Sequence, residues 1–185
     1  MTSENDRQQL LEIARTAIVS HVTGVRAPAD QPPALNKPSN GAFVTIHMNG
    51  SLRGCIGNLG TGLPLAAVVR ECAIAACSAD PRFEPVAPAE LPGLAIEISL
   101  LGPLEPIASP EEVEVGRHGL VVEQGWHRGL LLPQVATEWG WDRETFLAQT
   151  CHKAGLERDA WKRGAKVLRF EAEVFSEGDT GKGGG

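Results

Sequence analysis

The chain has 185 residues, of which 42% are hydrophobic and 22% charged, and its formal net charge is −6. This length and composition predict one globular domain that buries a core without disulfides or metals. The acidic balance argues against a nucleic-acid-binding surface that covers the whole protein, although a local basic patch is still allowed.

The distribution of apolar residues and cysteines indicates the compartment. No run approaches the ~18 consecutive apolar residues of a membrane span, and no apolar segment of the signal-peptide kind follows the polar residues 1–6. The four cysteines have no CxxC spacing, which is typical of reduced thiols rather than a disulfide framework. We therefore expect a cytoplasmic protein without membrane association.

The first part of the chain predicts a helix, a linker and a hairpin. The helix is expected over residues 3–23, where Ser3 can cap its start and Gly24 can end it. Residues 25–40 contain four prolines and should form an extended connector. Asn49-Gly50 separates two β-type runs, and this pair is the strongest local signal of a hairpin with a type I′ turn.

The rest of the chain predicts further helices and strands from apolar spacing, capping residues and alternation. They are a helix over 64–79, a strand over 94–100, a hairpin from 119–123 to 128–132, helices over 133–139 and 142–155, and a strand over 167–175. Because two strand pairs are hairpins, we predict an α+β fold with a mixed, largely antiparallel sheet and flanking helices. We assign residues 1–175 to a single domain and residues 176–185 to a flexible C-terminal tail.

The first hairpin suggests a reactive cysteine. A two-residue loop fixes the register, so Val44 should pair with Cys55 and Ile46 with Arg53. Arg53 and Cys55 then share one face within ~7 Å, while His47 and the other odd-numbered residues of the first strand take the opposite face. A guanidinium there would lower the thiol pKa from ~8.5, and His47 is not expected to act as its base.

The glycines around Cys55 allow two interpretations. Gly54 and Gly57 leave the strand open, as expected where a ligand or another backbone approaches closely, but they could also shape a bulge. A single cysteine on a strand is most often a small buried hydrophobic residue. The functional alternative makes Cys55 a nucleophile, with Arg53 holding an anion.

Two other side chains are candidates for acid–base chemistry. His118 lies between Arg117 and Gly119 and could act as acid or base, since its unperturbed pKa is ~6.5; alternatively it hydrogen-bonds a backbone carbonyl at a turn. Glu97 lies on the second face of a strand and could be a general base or a partner of Arg53. A solvated carboxylate or a structural salt bridge is the commoner outcome.

Other clusters are expected to be structural. Asp80 and Arg82 bracket Pro81 in a helix-ending turn, where capping explains Asp80 better than catalysis. Cys151 and His152 are adjacent on a helix and point about 100° apart, so we predict no metal site and no cofactor. A basic patch that would suit RNA is conceivable, but solvated surface charge is the favoured interpretation of its members: Arg117, His118, His127, Arg128, Lys162, Arg163 and Lys166.

Several segments taken together resemble the AMMECR domain family over residues 7–175. They are LRGCIG at 52–57, GLPL at 62–65, DPRF at 80–83, LPGLAIEISLL at 91–101, GRHGL at 116–120, GLLLPQV at 129–135, KAGL at 153–156 and FEAEVF at 170–175. The family's LRGCIG maps onto Leu52 to Gly57 without departure.

The resemblance implies an α+β fold with a larger and a smaller subdomain around a mixed sheet. It also implies the company of a Memo-type protein and a radical S-adenosylmethionine enzyme, in what is called the AmmeMemoRadiSam system, and hence chemistry on a small molecule, a protein or RNA.

Two functions follow from the sequence. The first is a cysteine-dependent enzyme or enzyme subunit, with its catalytic residues at Cys55, His118 and Glu97 and its ligand-binding residues at Arg53, Gly54 and Gly57. The second is a non-catalytic binding module that presents the LRGCIG groove to a partner protein or a nucleotide.

Overall fold

The computed structural model describes residues 2–26, 35–59 and 62–178, and they form two compact units. The larger unit comprises the described residues of Met1–Leu100 and Glu173–Gly185, and the smaller one comprises Leu101–Ala172. The fold is α+β with antiparallel strands and flanking helices, as predicted.

The larger unit packs two helices on one face of its strands. In chain order it contains α1 (Glu4–Thr23), β1 (Gly41–Met48), β2 (Ser51–Leu59), α2 (Leu65–Ser78), β3 (Leu94–Leu101) and the end of β7 (Lys166–Ser176). The strands follow the order β2-β1-β3-β7, and β1 pairs antiparallel with both β2 and β3. One strand face joins α1 and α2 in the core, where the side chains of Val44, Ile46, Ile96 and Ile98 are at most 1% exposed.

Local signals place the first elements where the sequence predicts them. The hydroxyl of Ser3 accepts a hydrogen bond from the amide of Asp6 at the start of α1, and Gly24 ends the helix in a left-handed conformation, with φ at 73°. At the hairpin turn Asn49 and Gly50 both have positive φ, 52° and 79°, as a type I′ turn requires. These predictions are confirmed.

The smaller unit contains the second hairpin and two helices. In chain order it consists of β4 (Glu105–Pro106), β5 (His118–Gln124), β6 (His127–Leu131), α3 (Pro133–Glu138), α4 (Arg143–Lys153) and the start of β7. Within it β5 lies between β6 and β7, and β4 also pairs with β7. Leu120, Phe146 and Leu147 are fully buried in its separate core.

The C-terminal boundary differs from the prediction. Ser176 still belongs to β7, and the carboxylate of Glu177 accepts hydrogen bonds from Arg15 and from the amide of Ile96 (3.0 Å). Residues 176 and 177 therefore belong to the folded domain and not to a tail. Residues 27–34 of the predicted linker and 179–185 of the predicted tail lie outside the described residues.

The register of the first hairpin differs from the prediction. Met48 pairs with Ser51 beside the turn as predicted, but Ile46 pairs with Gly54 and Thr45 with Cys55. Arg53 is the additional residue of a β-bulge, which moves every later residue of β2 by one position. Cys55 therefore lies on the face of Thr45, opposite to the one predicted.

Packing against α2 explains the bulge. A Cβ atom at Gly54 would lie 2.2 Å from the carbonyl oxygen of Ala76, so α2 can approach β2 this closely only if residue 54 is glycine and faces the helix. Without the bulge, alternation would turn Gly54 to the other face and aim Cys55 at the helix. This contact joins residues far apart in the sequence, which is why turn geometry alone gave the wrong face.

No helix among the described residues is long and apolar enough to cross a membrane.

Candidate functional site

A row of three polar side chains crosses the strand face opposite the core. Cys55 on β2 is directly opposed to Thr45 on β1, and Thr45 is directly opposed to Glu97 on β3. Opposed side chains have Cβ atoms ~5 Å apart, and the Sγ atom of Cys55 lies 3.2 Å from the Oγ1 atom of Thr45. We call these three residues the cross-strand row; it brings together the predicted site residues Cys55 and Glu97.

The carboxylate of Glu97 is uncommitted. Glu97 is half-buried and makes no hydrogen bond or ion pair to any described residue, so the predicted alternative of a salt bridge to Arg53 is not realised. Ser99, two residues further on the same face, is 1% exposed, and its hydroxyl finds no partner within residues 2–26, 35–59 and 62–178. The half-buried carboxylate of Glu97 can therefore bond to a ligand or to water.

The turn after α2 holds the backbone of Cys55. Oδ2 of Asp80 accepts a hydrogen bond from the amide of Cys55 (2.9 Å), and Oδ1 accepts from the amide of Arg82 (3.1 Å). The guanidinium of Arg82 donates to both carboxylate oxygens, through Nε at 3.0 Å and Nη2 at 2.7 Å. These bonds hold the pKa of Asp80 far below its usual range. The turn also covers part of the free edge of β2.

Arg53 does not face the thiol as predicted. Its Nε and Nη2 atoms bind the carboxylate of Glu90 at 2.9 and 3.1 Å, and Nη1 donates to the carbonyl of Glu84 at 2.9 Å. Every nitrogen of this guanidinium is therefore engaged, and the side chain is only 16% exposed. The cation whose charge reaches the Cys55 thiol is Arg82.

The pKa of the Cys55 thiol is raised, so the prediction of an activated thiolate is wrong. Burial is the largest cause of the rise, and the charges of Asp80 and Glu97 add to it. The hydrogen bond from Thr45 and the charge of Arg82 lower the pKa but do not compensate. At neutral pH the group is a protonated thiol that needs a proton acceptor to react.

The prediction that His47 lies on the face opposite to Cys55 is wrong, because it depends on the predicted register. Because His47 is two residues from Thr45 on β1, alternation puts it on the face that carries Cys55. It is half-buried. His47 and the Cys55 thiol therefore lie on the same face of the sheet.

Internal packing accounts for both predicted ligand-binding glycines. Gly54 lies against the backbone of α2, and a Cβ atom at Gly57 would lie 2.3 Å from the ring of Phe43. Of the two predicted reasons for glycine, close approach by another part of the protein explains both positions. Their binding of a ligand stays a prediction.

His118 lies in the smaller unit, and its part in the Cys55 site stays a prediction. It is 7% exposed, and its Nδ1 atom accepts a hydrogen bond from the amide of Glu114 at 3.0 Å. The backbone partner is thus an amide rather than the expected carbonyl. Burial and the charges of Arg169 and Arg117 lower the pKa of His118, so the ring is neutral at physiological pH.

The remaining candidate clusters have structural roles. Four members of the conceivable basic patch are in ion pairs with acidic neighbours: Arg117 with Glu114 and Glu171, Arg128 with Glu123, Lys162 with Glu144, and Arg163 with Asp159. Cys72, Cys77 and Cys151 are buried, and burial raises the pKa of each thiol. Within the described part of the chain, no three His, Cys, Asp or Glu side chains are grouped to hold a metal ion.

Two residues of the site were missed in the sequence. The sequence places Thr45 on the correct face of β1 but Cys55 on the opposite one, because the bulge that turns Cys55 to the face of Thr45 has no local signal. Arg82 was treated as part of a turn, although an Asp-Pro-Arg sequence directly after a helix is a recognisable signal. The aspartate of such a turn can accept a hydrogen bond from the backbone amide two residues later in the chain. Here Asp80 accepts hydrogen bonds from both the backbone amide and the side chain of Arg82.

Comparisons with known proteins extend over both units. A family model described as AMMECR1 matches residues 11–175. A protein from Methanothermobacter thermautotrophicus is 46% identical over 185 residues, covering 95% of this chain and 96% of that protein. Protein MJ0810 from Methanocaldococcus jannaschii is 41% identical over 173 residues, covering 89% of this chain and 86% of its own length. The crystal structure of the uncharacterized protein PH0010 from Pyrococcus horikoshii matches with a TM-score of 0.83 at 43% identity, over 91% of this chain and 89% of that one.

Proposed function

The chain belongs to the AMMECR1 family, and from this premise we propose that it is a cysteine-dependent enzyme, or the cysteine-bearing subunit of one. The observation that carries the proposal is the cross-strand row. The thiol of Cys55 contacts the hydroxyl of Thr45, and the uncommitted carboxylate of Glu97 is opposed to the same threonine. A nucleophile whose pKa lies above neutrality needs a base within reach of its proton, and Glu97 is the base that this row offers.

The proposed step is the addition of Cys55 to a polarised double bond, either a carbonyl or an activated alkene. Sγ forms a bond to the electrophilic carbon, while its proton passes through the hydroxyl of Thr45 to the carboxylate of Glu97. The electron pair displaced from the substrate double bond then takes this proton back from Glu97. Nothing is oxidised and no group leaves, so the step balances with the protein's own groups.

The pH-dependent reaction of Cys55 with N-ethylmaleimide tests this proposal. This neutral reagent accepts a thiol across a double bond without a leaving group, and mass spectrometry can follow each cysteine separately. We expect Glu97→Gln to slow the reaction of Cys55 at pH 7 about tenfold, a modest effect for the loss of a general base. Thr45→Val should also slow it, since this variant interrupts the proton path. The buried Cys72 is the reference in the same molecule.

The sign of the effect distinguishes two roles of Glu97. If Glu97 were only a nearby negative charge, its removal would lower the pKa of the Cys55 thiol and the reaction would accelerate. An accelerated Glu97→Gln variant would thus contradict the proposed base. A Cys55 that reacts no faster than Cys72 at any pH would contradict the enzyme proposal as a whole.

A second function, a non-catalytic binding module, is favoured by a different observation. Arg53 and both glycines are committed to internal contacts, whereas Leu52 on the edge strand β2 is 40% exposed. A partner protein could cover this apolar side chain without any reaction at the thiol. In that case Leu52→Asp should abolish partner binding, and Cys55→Ser should retain it.

We propose a Memo-type protein and a radical S-adenosylmethionine enzyme as partners, on the strength of the family. The test is to recover wild type, Cys55→Ser and Leu52→Asp from cells and to identify bound proteins, RNA and small molecules by mass spectrometry. The enzyme proposal expects an adduct on Cys55 of the wild type that the serine variant lacks. If wild type and Cys55→Ser recover the same partners and Cys55 carries no adduct, the binding module is favoured.

A further inference from the structure

Two arginines flank Cys55, and they differ in what they have left to bind. All three nitrogens of Arg53 are engaged, and its side chain is 16% exposed. The Nε and Nη2 atoms of Arg82 donate hydrogen bonds to Asp80, whereas its Nη1 atom has no partner among the described residues. The side chain of Arg82 is 53% exposed. Only Arg82 can therefore offer a free donor to a ligand.

The guanidinium of Arg82 is also held in place. Asp80 binds it through two nitrogens, and the ring of Phe83 lies beside it, with the guanidinium carbon 5.4 Å from the ring centroid. Its Nη2 atom lies 3.5 Å from the carbonyl oxygen of Cys55. Binding by a group that is already fixed loses little conformational entropy.

The ion pair is asymmetric in its exposure. The side chain of Asp80 is 2% exposed, whereas that of Arg82 is 53% exposed, so the surface next to Cys55 presents the cation and conceals its counter-ion. On the other side of the thiol, the cross-strand row ends at the carboxylate of Glu97. A ligand at Cys55 thus meets a positive group at one end and a negative group at the other.

We propose that Arg82 binds an oxyanion, a carboxylate or a phosphate, of the molecule that reacts at Cys55. This inference rests on the proposed function and names the substrate class: a molecule with one anionic group next to its electrophilic carbon. The end that approaches Glu97 is neutral or cationic, because a second anion there would be repelled.

The ratio of two alkylation rates tests this inference. The same thiolate displaces iodide from iodoacetate and from iodoacetamide, and the two reagents differ in charge. The ratio of their rates at Cys55 therefore cancels any change in the thiol pKa. We expect the ratio to be about fivefold lower in Arg82→Gln, as the loss of one nearby charge in a partly aqueous site implies. Arg82→Lys should stay within about twofold of the wild type, and so should Arg53→Gln, the matched control on the other arginine.

A double variant separates binding by Arg82 from repulsion by Asp80. Arg82→Gln alone exposes the charge of Asp80, which would itself repel iodoacetate. Asp80→Asn combined with Arg82→Gln removes both charges and leaves the local net charge as in the wild type. We expect the ratio to remain low in this double variant, and a ratio equal to that of the wild type would overturn the inference.

Competition by inorganic ions and acetate shows whether Arg82 prefers a phosphate or a carboxylate. Inorganic phosphate or acetate should slow iodoacetate more than iodoacetamide in the wild type and have no such effect in Arg82→Gln. The ion that protects at the lower concentration indicates the substrate group. If neither ion protects Cys55 from iodoacetate, binding of an oxyanion by Arg82 is overturned. The same holds if the rate ratio of iodoacetate to iodoacetamide falls as much in Arg53→Gln as in Arg82→Gln. Either outcome leaves the reaction of Cys55 with N-ethylmaleimide, and hence the proposed function, as a separate result.

Discussion

The carboxylate of Asp80 accepts a hydrogen bond from the backbone amide of Cys55, with 2.9 Å between Oδ2 and N. Asp80 comes just after α2, whereas Cys55 lies on β2, so this bond joins the end of the helix to the edge of the sheet. Because the amide points to Asp80, the opposed pair of Cys55 and Thr45 is not joined by backbone hydrogen bonds. Side chains are closest in pairs of that kind, which is consistent with the short contact between the thiol and the hydroxyl.

The first prediction concerns the stability that Asp80 provides. Asp80→Asn keeps the shape of the side chain but removes the charge that accepts bonds from Cys55 and Arg82. We expect a loss of about 1–3 kcal/mol in the free energy of unfolding at pH 7, the range for weakening buried bonds to a charged group. Urea denaturation of both proteins measures this difference.

The loss should depend on pH. The pKa of Asp80 is lower in the folded protein than its unfolded value of ~3.9, so its stabilising effect is complete above that value. The effect is lost as the pH falls through the folded pKa. The difference between wild type and Asp80→Asn should therefore shrink below about pH 4. Asp159 forms an exposed ion pair with Arg163 and provides the control. Asp159→Asn should lower the free energy of unfolding by less than about 0.5 kcal/mol. A difference that stays constant down to pH 3 would contradict the role given to the ionised carboxylate.

Local sequence signals predicted the helices and strands, and two residues of the site, Cys55 and Glu97. Ser3 and Gly24 delimit α1, and Asn49-Gly50 forms the expected turn, because each of these preferences is decided by the residues themselves. Cys55 and Glu97 were chosen as candidates from their own strands, and the sheet places them in one row.

Contacts between distant residues decided the rest of the site. The bulge at Arg53 depends on the packing of Gly54 against Ala76, and no pattern within the hairpin contains this information. The ion pair that withdraws Arg53 from the thiol joins residues 37 positions apart. A one-residue error in register was then enough to exchange Thr45 for Val44 beside the cysteine, since successive strand residues alternate between faces.

The second prediction concerns Gly54 in the LRGCIG segment. Gly54→Ala brings a Cβ atom to 2.2 Å from the backbone oxygen of Ala76, and a helix backbone cannot yield as a flexible side chain can. We expect a loss of about 2–3 kcal/mol in unfolding free energy, the upper part of the range for overpacking. Thermal or urea denaturation measures it. A loss of function in this variant would then reflect packing, and would not identify a ligand contact.

Gly93→Ala is the matched control for Gly54→Ala. Its added Cβ atom would meet only the Cε atom of Met48, at an ordinary distance of 3.5 Å. This substitution should be neutral or stabilise the protein by up to about 1 kcal/mol, because alanine restricts the unfolded chain. Equal costs at the two glycines would refute the packing explanation for Gly54.

The third prediction concerns the protonation of His118. Its ring accepts the amide hydrogen of Glu114 at Nδ1, and protonation of that nitrogen would destroy the bond. Burial and neighbouring arginines lower the folded pKa below the unfolded value of ~6.5. The neutral ring therefore contributes stability that is complete above about pH 6.5 and is lost as the pH falls through the folded pKa. NMR titration of the ring should show this lowered pKa directly.

Substitutions of His118 separate the hydrogen bond from the titration. In His118→Asn the side-chain oxygen can still accept from the amide of Glu114 but does not titrate, so part of the pH dependence of unfolding should disappear. His118→Leu leaves that amide without its acceptor and should cost about 1–2 kcal/mol at pH 7.5. His152→Asn, at an exposed position on α4, should change the stability at pH 7.5 by less than about 0.5 kcal/mol. A His118 ring that titrates at or above pH 6.5 would show that its nitrogen is not an acceptor, and would restore it as a candidate acid near neutrality.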